Sequence, residues 1–420
     1  MDSKTLIFLA KQRIREDRIV VNTGLCSVAL LGGLRAVAGQ NLAAVEALAS
    51  VHRRTTWNGL RRLVEPHVVR GRSVYFQAPS VALAEDNIAK IFGNRLMVLK
   101  EPGPNGEKGV LFVMVSNTFR VLLDRMDLDR LLGDYTLVFE PSWSGYCHRD
   151  MLAFTRWSQH EVFVLSAEEG DFAFLARMKS NLIPVPLGPC DWVDPRVAEP
   201  FLGNPKEFDI VMNSNWGAWK RHFVLFRMLA KAKRKYRVLL LGWNWSGQTR
   251  VDIERQADYY GVRSQLVFYE DIPYANVMDL SCRSKLSILL SLKEGSNRAI
   301  AESIFCNLPV IVLANHVGGI RKNVVAETGR LAKESELEAA VEQLMAAKLE
   351  PRKWGLENVT CMKSTEKLNN VLEAHALKRG EPWTRGIAVR SNSPESSYFD
   401  PADKTRLAGF NESLSKYIRQ

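Results

Sequence analysis

The stretch Leu289-Leu290-Ser291-Leu292-Lys293-Glu294-Gly295-Ser296-Asn297-Arg298-Ala299-Ile300-Ala301-Glu302-Ser303-Ile304-Phe305-Cys306-Asn307-Leu308-Pro309-Val310-Ile311-Val312 decides the fold. A buried strand ends in it, and Glu294-Gly295-Ser296 makes a turn. Ser296 or Asn297 then suits the N-cap of a helix, because a short polar side chain there accepts a first-turn N–H. Ile300, Ile304 and Phe305 recur at helical spacing and face the core. Leu308-Pro309 ends the helix, since proline lacks an N–H donor, and Val310-Ile311-Val312 opens the next strand. The N–H groups and dipole at such a helix start make an anion site suited to a diphosphate. Glu294 belongs to the turn and Glu302 to the helix, so one can reach a sugar and the other a ribose diol. Two glutamates at E-x7-E spacing are common by chance, and both solvated is the bland alternative.

Working outward, strands and helices alternate on both sides of this segment. Strands are expected at Phe208–Met212, Arg237–Gly242, Leu266–Tyr269, Leu286–Leu290 and Val310–Leu313, with helices at Arg221–Lys235, Asp252–Tyr260 and Glu334–Ala347. This is a Rossmann-like series, in which ligands bind beyond the carboxyl ends of the strands. An earlier series has strands at Ser73–Gln77, Leu96–Lys100, Val110–Val115, Tyr135–Phe139 and Val162–Ser166, with a helix over Thr118–Leu132. The proline-dense Asn181–Pro195 reads as a connector. Residues before about Pro66 read as helical, with Gly32, Gly33 and Gly39 serving helix packing better than a phosphate loop. The organisation expected is 1–200 for a first Rossmann-like domain with a helical extension, 201–365 for a second Rossmann-like domain carrying the diphosphate site, and 366–420 for a tail and helix. In the tail, 376–403 reads as an extended surface segment, and Lys404–Ile418 as a helix docking back on the body.

The 420 residues suffice for two or three domains, and 46% hydrophobic with 25% charged residues is ordinary for a globular protein. The formal net charge of +11 favours anionic partners in general, such as nucleotide diphosphates or lipid headgroups. Charge alone does not argue for nucleic acid, and no nucleic-acid partner is expected. The six cysteines are scattered without C-x-x-C pairing, which suits a reducing cytoplasm. No signal peptide is legible, and no window reads as a membrane span. The expected location is cytoplasmic, with peripheral contact at the inner face of a membrane.

At this point residues 205–345 resemble a known family: the retaining, nucleotide-sugar-dependent GT-B glycosyltransferases of the E-x7-E type (family 4-like, glycosyl transferases group 1). The resemblance rests on the strand-to-E-x7-E segment, Leu239-Leu240-Leu241-Gly242, Leu266–Tyr269, the Leu308-Pro309-Val310-Ile311-Val312 strand, Val317-Gly318-Gly319-Ile320 and Thr328-Gly329-Arg330. It implies two Rossmann-like domains facing across a cleft, with a C-terminal helix returning to the body. It also implies that Glu294 and Lys220 are catalytic. Arg221, Gly295, Ser296, Asn297, Arg298 and Glu302 would bind the donor, with Glu302 on the ribose hydroxyls. The family's basic pair precedes the first helix of this domain. Lys220 fits its lysine, but Ser214 or Asn215 stands where the arginine is usual, and Arg221 or Arg298 is the substitute. Family members commonly carry Gly-Phe-Gly after the first glutamate, whereas this chain has Gly295-Ser296-Asn297-Arg298.

The first half resembles the family in architecture only. Its loop Phe139–Asp150, rich in aromatic and polar groups after a strand, offers Trp143 and His148 as acceptor-side candidates, although a surface histidine is the plainer reading of His148. No D-x-D pair sits at a strand end, so neither a metal nor another cofactor is expected. The implied reaction transfers a sugar from a nucleotide-sugar to a glycan, lipid-linked or small-molecule acceptor, with retention at the anomeric carbon. Two alternatives stay open: a GT-B sugar-nucleotide epimerase, and a catalytically silent glycan-binding subunit.

Overall fold

The computed structural model describes residues 3–77, 95–141 and 145–419. Two compact units emerge, each closed by segments from distant parts of the chain. The first comprises Lys11–Leu187, Glu366–Val389 and Asp400–Gln420; the second comprises Met1–Ala10, Gly188–Thr365 and Arg390–Phe399.

The first unit is built on five strands: β1 Leu96–Lys100, β2 Gly109–Met114, β3 Tyr135–Glu140, β4 Val162–Leu165 and β5 Leu182–Val185. They lie side by side in chain order, with β1 antiparallel to β2 and the remainder parallel. Strands β1 to β4 are buried along their whole length, which requires cover on both faces. Phe139 supplies one face: it stacks on Phe119 of helix Ser116–Arg125 at 4.3 Å and meets Phe154 edge-on at 4.8 Å. Phe163 pairs in register with Val138, so it points the opposite way, and there His375 of helix Cys361–Lys378 meets its ring at 5.2 Å. The end of the chain also returns to this sheet. Asn411 of helix Pro401–Glu412 accepts the Val98 N–H at 2.9 Å, and the Tyr417 hydroxyl reaches Asp134.

Several expectations change here. Gly71–Gln77 is a 3-10 helix, not a strand. The stretch read as one helix over Thr118–Leu132 breaks at Met126, and Asp127 caps a second helix, Leu128–Asp134. Leu182–Val185, inside the proline-dense segment, is a strand; Pro184 is tolerated because β5 is an edge. Residues 376–403 are not merely a surface segment, since Ile387, Ala388, Arg390 and Ser391 are buried. The early helices do pack through glycine: a Cβ on Gly32 would stand 3.0 Å from Leu48. However, helix Arg18–Val37 is long and apolar enough to meet the length and composition of a membrane span, contrary to the sequence expectation.

The second unit has six parallel strands: β6 Phe208–Asn213, β7 Val238–Gly242, β8 Leu266–Glu270, β9 Ser284–Leu289, β10 Val310–Leu313 and β11 Gly329–Ala332. Their spatial order is β11-β10-β9-β6-β7-β8. Alternating residues divide between two cores. Ile210, Met212, Leu240 and Ile311 pack under helices His222–Lys231, Arg250–Tyr259 and Leu337–Ala346. Val211, Leu239, Leu241 and Val312 pack under helices Tyr274–Cys282 and Arg298–Phe305. The chain leaves β6 outward through β7 and β8, then crosses to β9 and runs outward the other way. The crevice at the carboxyl ends of β6 and β9 is therefore the topological switch point, where open α/β sheets hold ligands.

Candidate functional site

A pocket of about 480 Å³ lies at that switch point, wholly within the second unit. Its floor comes from Asn213 and Ser214 at the end of β6 and from Leu241 and Gly242 at the end of β7. Glycine is required at 242: a Cβ there would lie 2.6 Å from the Ser214 carbonyl oxygen and 2.7 Å from the Trp216 ring.

Lys220 and Glu294 close the pocket across the two adjacent strands. Lys220 ends a 3-10 turn after β6, and Glu294 lies in the loop after β9. The Lys220 Nζ donates to Glu294 Oε1 at 2.7 Å, and Asn297 Nδ2 donates to Glu294 Oε2 at 2.8 Å. Burial acts to raise the Glu294 pKa, but the Lys220 ammonium and these bonds outweigh it and hold the carboxyl below its usual range. The site thus presents an ionised pair shielded from water.

The loop bearing Glu294 is fastened to the segment after β10. Glu294 N–H donates to the Val317 carbonyl at 3.0 Å, Val317 N–H to Leu292 at 2.8 Å, and Gly319 N–H to Gly295 at 2.7 Å. Gly318 permits this approach, because a Cβ on it would lie 2.4 Å from the Glu294 carbonyl oxygen. His316 braces the same loop from beneath, its Nδ1 donating to the Ser291 carbonyl at 2.8 Å.

Asn297, rather than Ser296, caps the helix Arg298–Phe305: its side chain accepts the Ile300 N–H at 2.9 Å. First-turn N–H groups have no acceptor within their own helix, and the first two residues here, Arg298 and Ala299, line the pocket. Ser296 also lines it, and its hydroxyl accepts the Cys190 N–H at 3.0 Å.

Glu302 sits deeper along the same helix. Its Oε1 accepts from the Tyr274 hydroxyl at 2.9 Å and pairs with Arg298 Nε at 2.9 Å. Burial raises its pKa above the ordinary carboxyl value, with Arg298 and Tyr274 opposing the shift. The Arg298 guanidinium also contacts Asn392 Oδ1 at 3.3 Å and the Pro394 carbonyl, so the hairpin Arg390–Asn392/Ser396–Tyr398 is tied to the pocket rim.

The pocket therefore gathers Lys220, Glu294, Ser296, Asn297, Arg298 and Glu302. Two donor-side candidates do not line it. Gly295 serves through its backbone, accepting from Gly319. Arg221 adopts a left-handed backbone (φ 61°), and its buried guanidinium donates to the Leu290 carbonyl at 3.1 Å and to Glu334 at 2.7 Å. Its charge is thereby committed beneath the loop and not aimed into the pocket. His148 belongs to the first unit, where its ring caps helix Arg149–Leu152 by accepting the Asp150 N–H at 3.3 Å; burial lowers its pKa. Trp143 lies outside the described residues. Sequence reasoning missed several of the lining residues, among them Trp243, Asp271, Tyr274 and Asn392. Among the described residues no three His, Cys, Asp or Glu side chains cluster to hold a metal ion.

Residues 197–357 match the protein family described as glycosyl transferases group 1. No curated protein sequence matches the chain. Among solved structures, that of Anabaena Alr3699/HepE in complex with UDP aligns with a TM-score of 0.50 and 12% identity, covering 76% of this chain and 85% of that one. The sucrose-phosphate synthase of Thermosynechococcus elongatus aligns with a TM-score of 0.46 and 16% identity, covering 76% and 77%. The lipopolysaccharide outer core galactosyltransferase WaaB aligns with a TM-score of 0.45 and 12% identity, covering 76% and 82%. The fold is that of the GT-B glycosyltransferases, with a Rossmann-like sheet in each unit.

Proposed function

We propose that this chain, whose residues 197–357 match the glycosyl transferases group 1 family, is a glycosyltransferase that transfers a sugar from a nucleotide-sugar to an acceptor, with retention at the anomeric carbon and without a metal ion. The observation that carries the reading is the buried Lys220–Glu294 pair at the switch point, with the start of helix Arg298–Phe305 beside it.

The donor's diphosphate would lie between the Lys220 ammonium and that helix N-terminus, where N–H groups and dipole favour an anion. Negative charge grows on the diphosphate as the glycosidic bond breaks. A fixed cation in a dry site opposes that growth without first having to reorganise, which is the largest electrostatic contribution open to this reaction. Glu294 would contact the donor sugar, its ionised state maintained by Lys220 and Asn297. Glu302 would accept from the ribose hydroxyls, held in place by Tyr274 and Arg298. Arg298, already engaged by Glu302 and the hairpin, acts here as a brace for Glu302. The HepE structure holds UDP, which makes a uridine diphosphate sugar the first donor to try. The acceptor would be a glycan, a lipid-linked sugar or a small molecule, and the protein would work at the inner face of a membrane.

The test is a thermal-shift series with UDP-, GDP- and ADP-sugars, because a ligand bound to the native state alone raises its apparent stability. One donor should raise the melting temperature of the wild type and fail to do so for Glu302→Ala. Turnover of that donor should vanish in Lys220→Ala. Full turnover in both variants would refute the site. Glycan binding without any nucleotide-sugar response would point instead to a silent subunit.

A further inference from the structure

We propose that the outward face of helix Arg18–Val37 seats on an anionic lipid bilayer, lying flat in its headgroup region. The helix exposes large apolar side chains near both of its ends, on a side that nothing among the described residues of its unit covers, with Thr23, Gly24 and Ser27 exposed between them. Ile19 is 70% exposed, Leu30 72%, Leu34 67% and Val37 90%, with Val20 and Leu31 beside them. Only Asn22, Leu25 and Gly32 are buried. Large apolar side chains scattered singly over a surface need no explanation, but six on one side of a single helix, four of them within Leu30–Val37, mark an interaction face.

The orientation is fixed by polar contacts on the opposite side. Asn22 Oδ1 accepts from the Thr55 hydroxyl at 2.6 Å and the Thr56 N–H at 3.0 Å, while its Nδ2 donates to Thr56 Oγ1 at 2.8 Å. Gly32 sits against Leu48 on the same side. These bonds hold the helix against Asn41–Arg54 and the turn after it, so the apolar row cannot rotate inward. They also argue against a spanning helix, which would strip Asn22 of its partners and bury it in hydrocarbon.

Charge selects the occupant. Residues 19–34 contain no charged side chain, and the two charges within the helix, Arg18 and Arg35, stand near its ends and are both positive. Arg13 and Arg15 lie just before it, with Glu16 after them, so the segment stays net positive when Arg18 is included. Asp17 is engaged in capping, accepting the Ile19 N–H at 2.9 Å and the Val20 N–H at 3.0 Å. An apolar strip bounded by cations matches the acyl–headgroup boundary of an anionic leaflet, where apolar burial and attraction to phosphate add. The surface does not depend on the donor reading.

The experiment is co-sedimentation of the full-length protein with vesicles of phosphatidylcholine, alone or mixed with phosphatidylglycerol. The wild type should partition ~10-fold more strongly onto the anionic vesicles. That preference should shrink in about 0.5 M salt, which screens surface charge. Leu30→Ser, Leu34→Ser and Val37→Ser combined, all at exposed positions, should weaken partition ~10-fold without lowering the melting temperature. Arg18→Glu with Arg35→Glu should abolish the preference for anionic over neutral vesicles. A wild type that stays in the supernatant overturns the proposal, as does a triple variant that partitions like the wild type. A dimer in sedimentation equilibrium that the triple variant dissociates would overturn it too, by showing a second copy on this face. Thermal shift with nucleotide-sugars, run alongside, should be unaffected by these variants. Its failure for every protein would count against the donor site only.

Discussion

The Nζ of Lys220 stands 2.7 Å from Oε1 of Glu294, joining the loops after two neighbouring parallel strands whose residues are 74 positions apart in the chain. Both side chains are nearly buried, so each is the other's main compensation for lost water. Removing one partner leaves an uncompensated charge. Lys220→Ala should therefore cost about 3–5 kcal/mol in stability, and Lys220→Met with Glu294→Gln should restore most of it. Urea unfolding measures both. Turnover should remain lost in the double variant, which separates the charge's role in chemistry from its role in folding.

Glu302→Gln keeps the shape of the side chain and most of its hydrogen bonding. It should leave the fold intact and weaken nucleotide-sugar binding by about 1.5–3 kcal/mol, the usual worth of a hydrogen bond to a charged group. Calorimetric titration with the donor identified by thermal shift would read this directly, and unchanged affinity would remove Glu302 from the donor contact.

Gly318→Ala tests the backbone fastening. The added methyl would meet the Glu294 carbonyl oxygen at 2.4 Å and His316 Nε2 at 2.6 Å, so the loop must move. Overpacking of this kind costs about 1–3 kcal/mol. Turnover should fall further than stability, because Glu294 moves with its loop. Gly409→Ala, where a Cβ meets nothing within 4 Å, is the control and should leave both unchanged.

The pH dependence should carry the mark of His222. Burial, with the Lys220 charge beside it, lowers its pKa from 6.5 to about 3. The folded protein thus binds fewer protons than the unfolded chain between those values. Stability contributed by the neutral ring is complete above pH 6.5 and is lost as pH falls toward 3, at up to about 1.4 kcal/mol per pH unit. Glu294, whose pKa is depressed, adds acid sensitivity below its ordinary range of about 4.5. His222→Gln should flatten the stability profile between pH 6.5 and 4.5 while leaving the steeper fall below it. An unchanged profile would show that His222 is not held neutral.

Metal independence is tested by turnover after dialysis against EDTA. Activity should be retained in full. Loss on chelation with recovery on adding Mg²⁺ or Mn²⁺ would assign the diphosphate's charge balance to a metal rather than to Lys220.

The sequence by itself determined the periodic part of this protein. Val310-Ile311-Val312 had to be a buried parallel strand, Asn297 or its neighbour had to cap the helix carrying Glu302, and Lys220 had to fall just before the helix that opens the second series. Those are local consequences of apolar runs, turn residues and capping chemistry, which act within a few residues. Tertiary structure decided what depended on distant partners. Tyr274 and Asn392 bear no local mark of a site, and they reach Glu302 and Arg298 only because a helix and a terminal hairpin close on the same rim. Arg221 follows Lys220 directly, yet a left-handed backbone at that residue sends its charge to Glu334 and away from the pocket. Leu182–Val185 became a strand despite its proline because β4 offered an edge. The row from Ile19 to Val37 could have been core by composition. Asn22, with its three bonds to Thr55 and Thr56, decided which side faces inward and left the apolar side exposed.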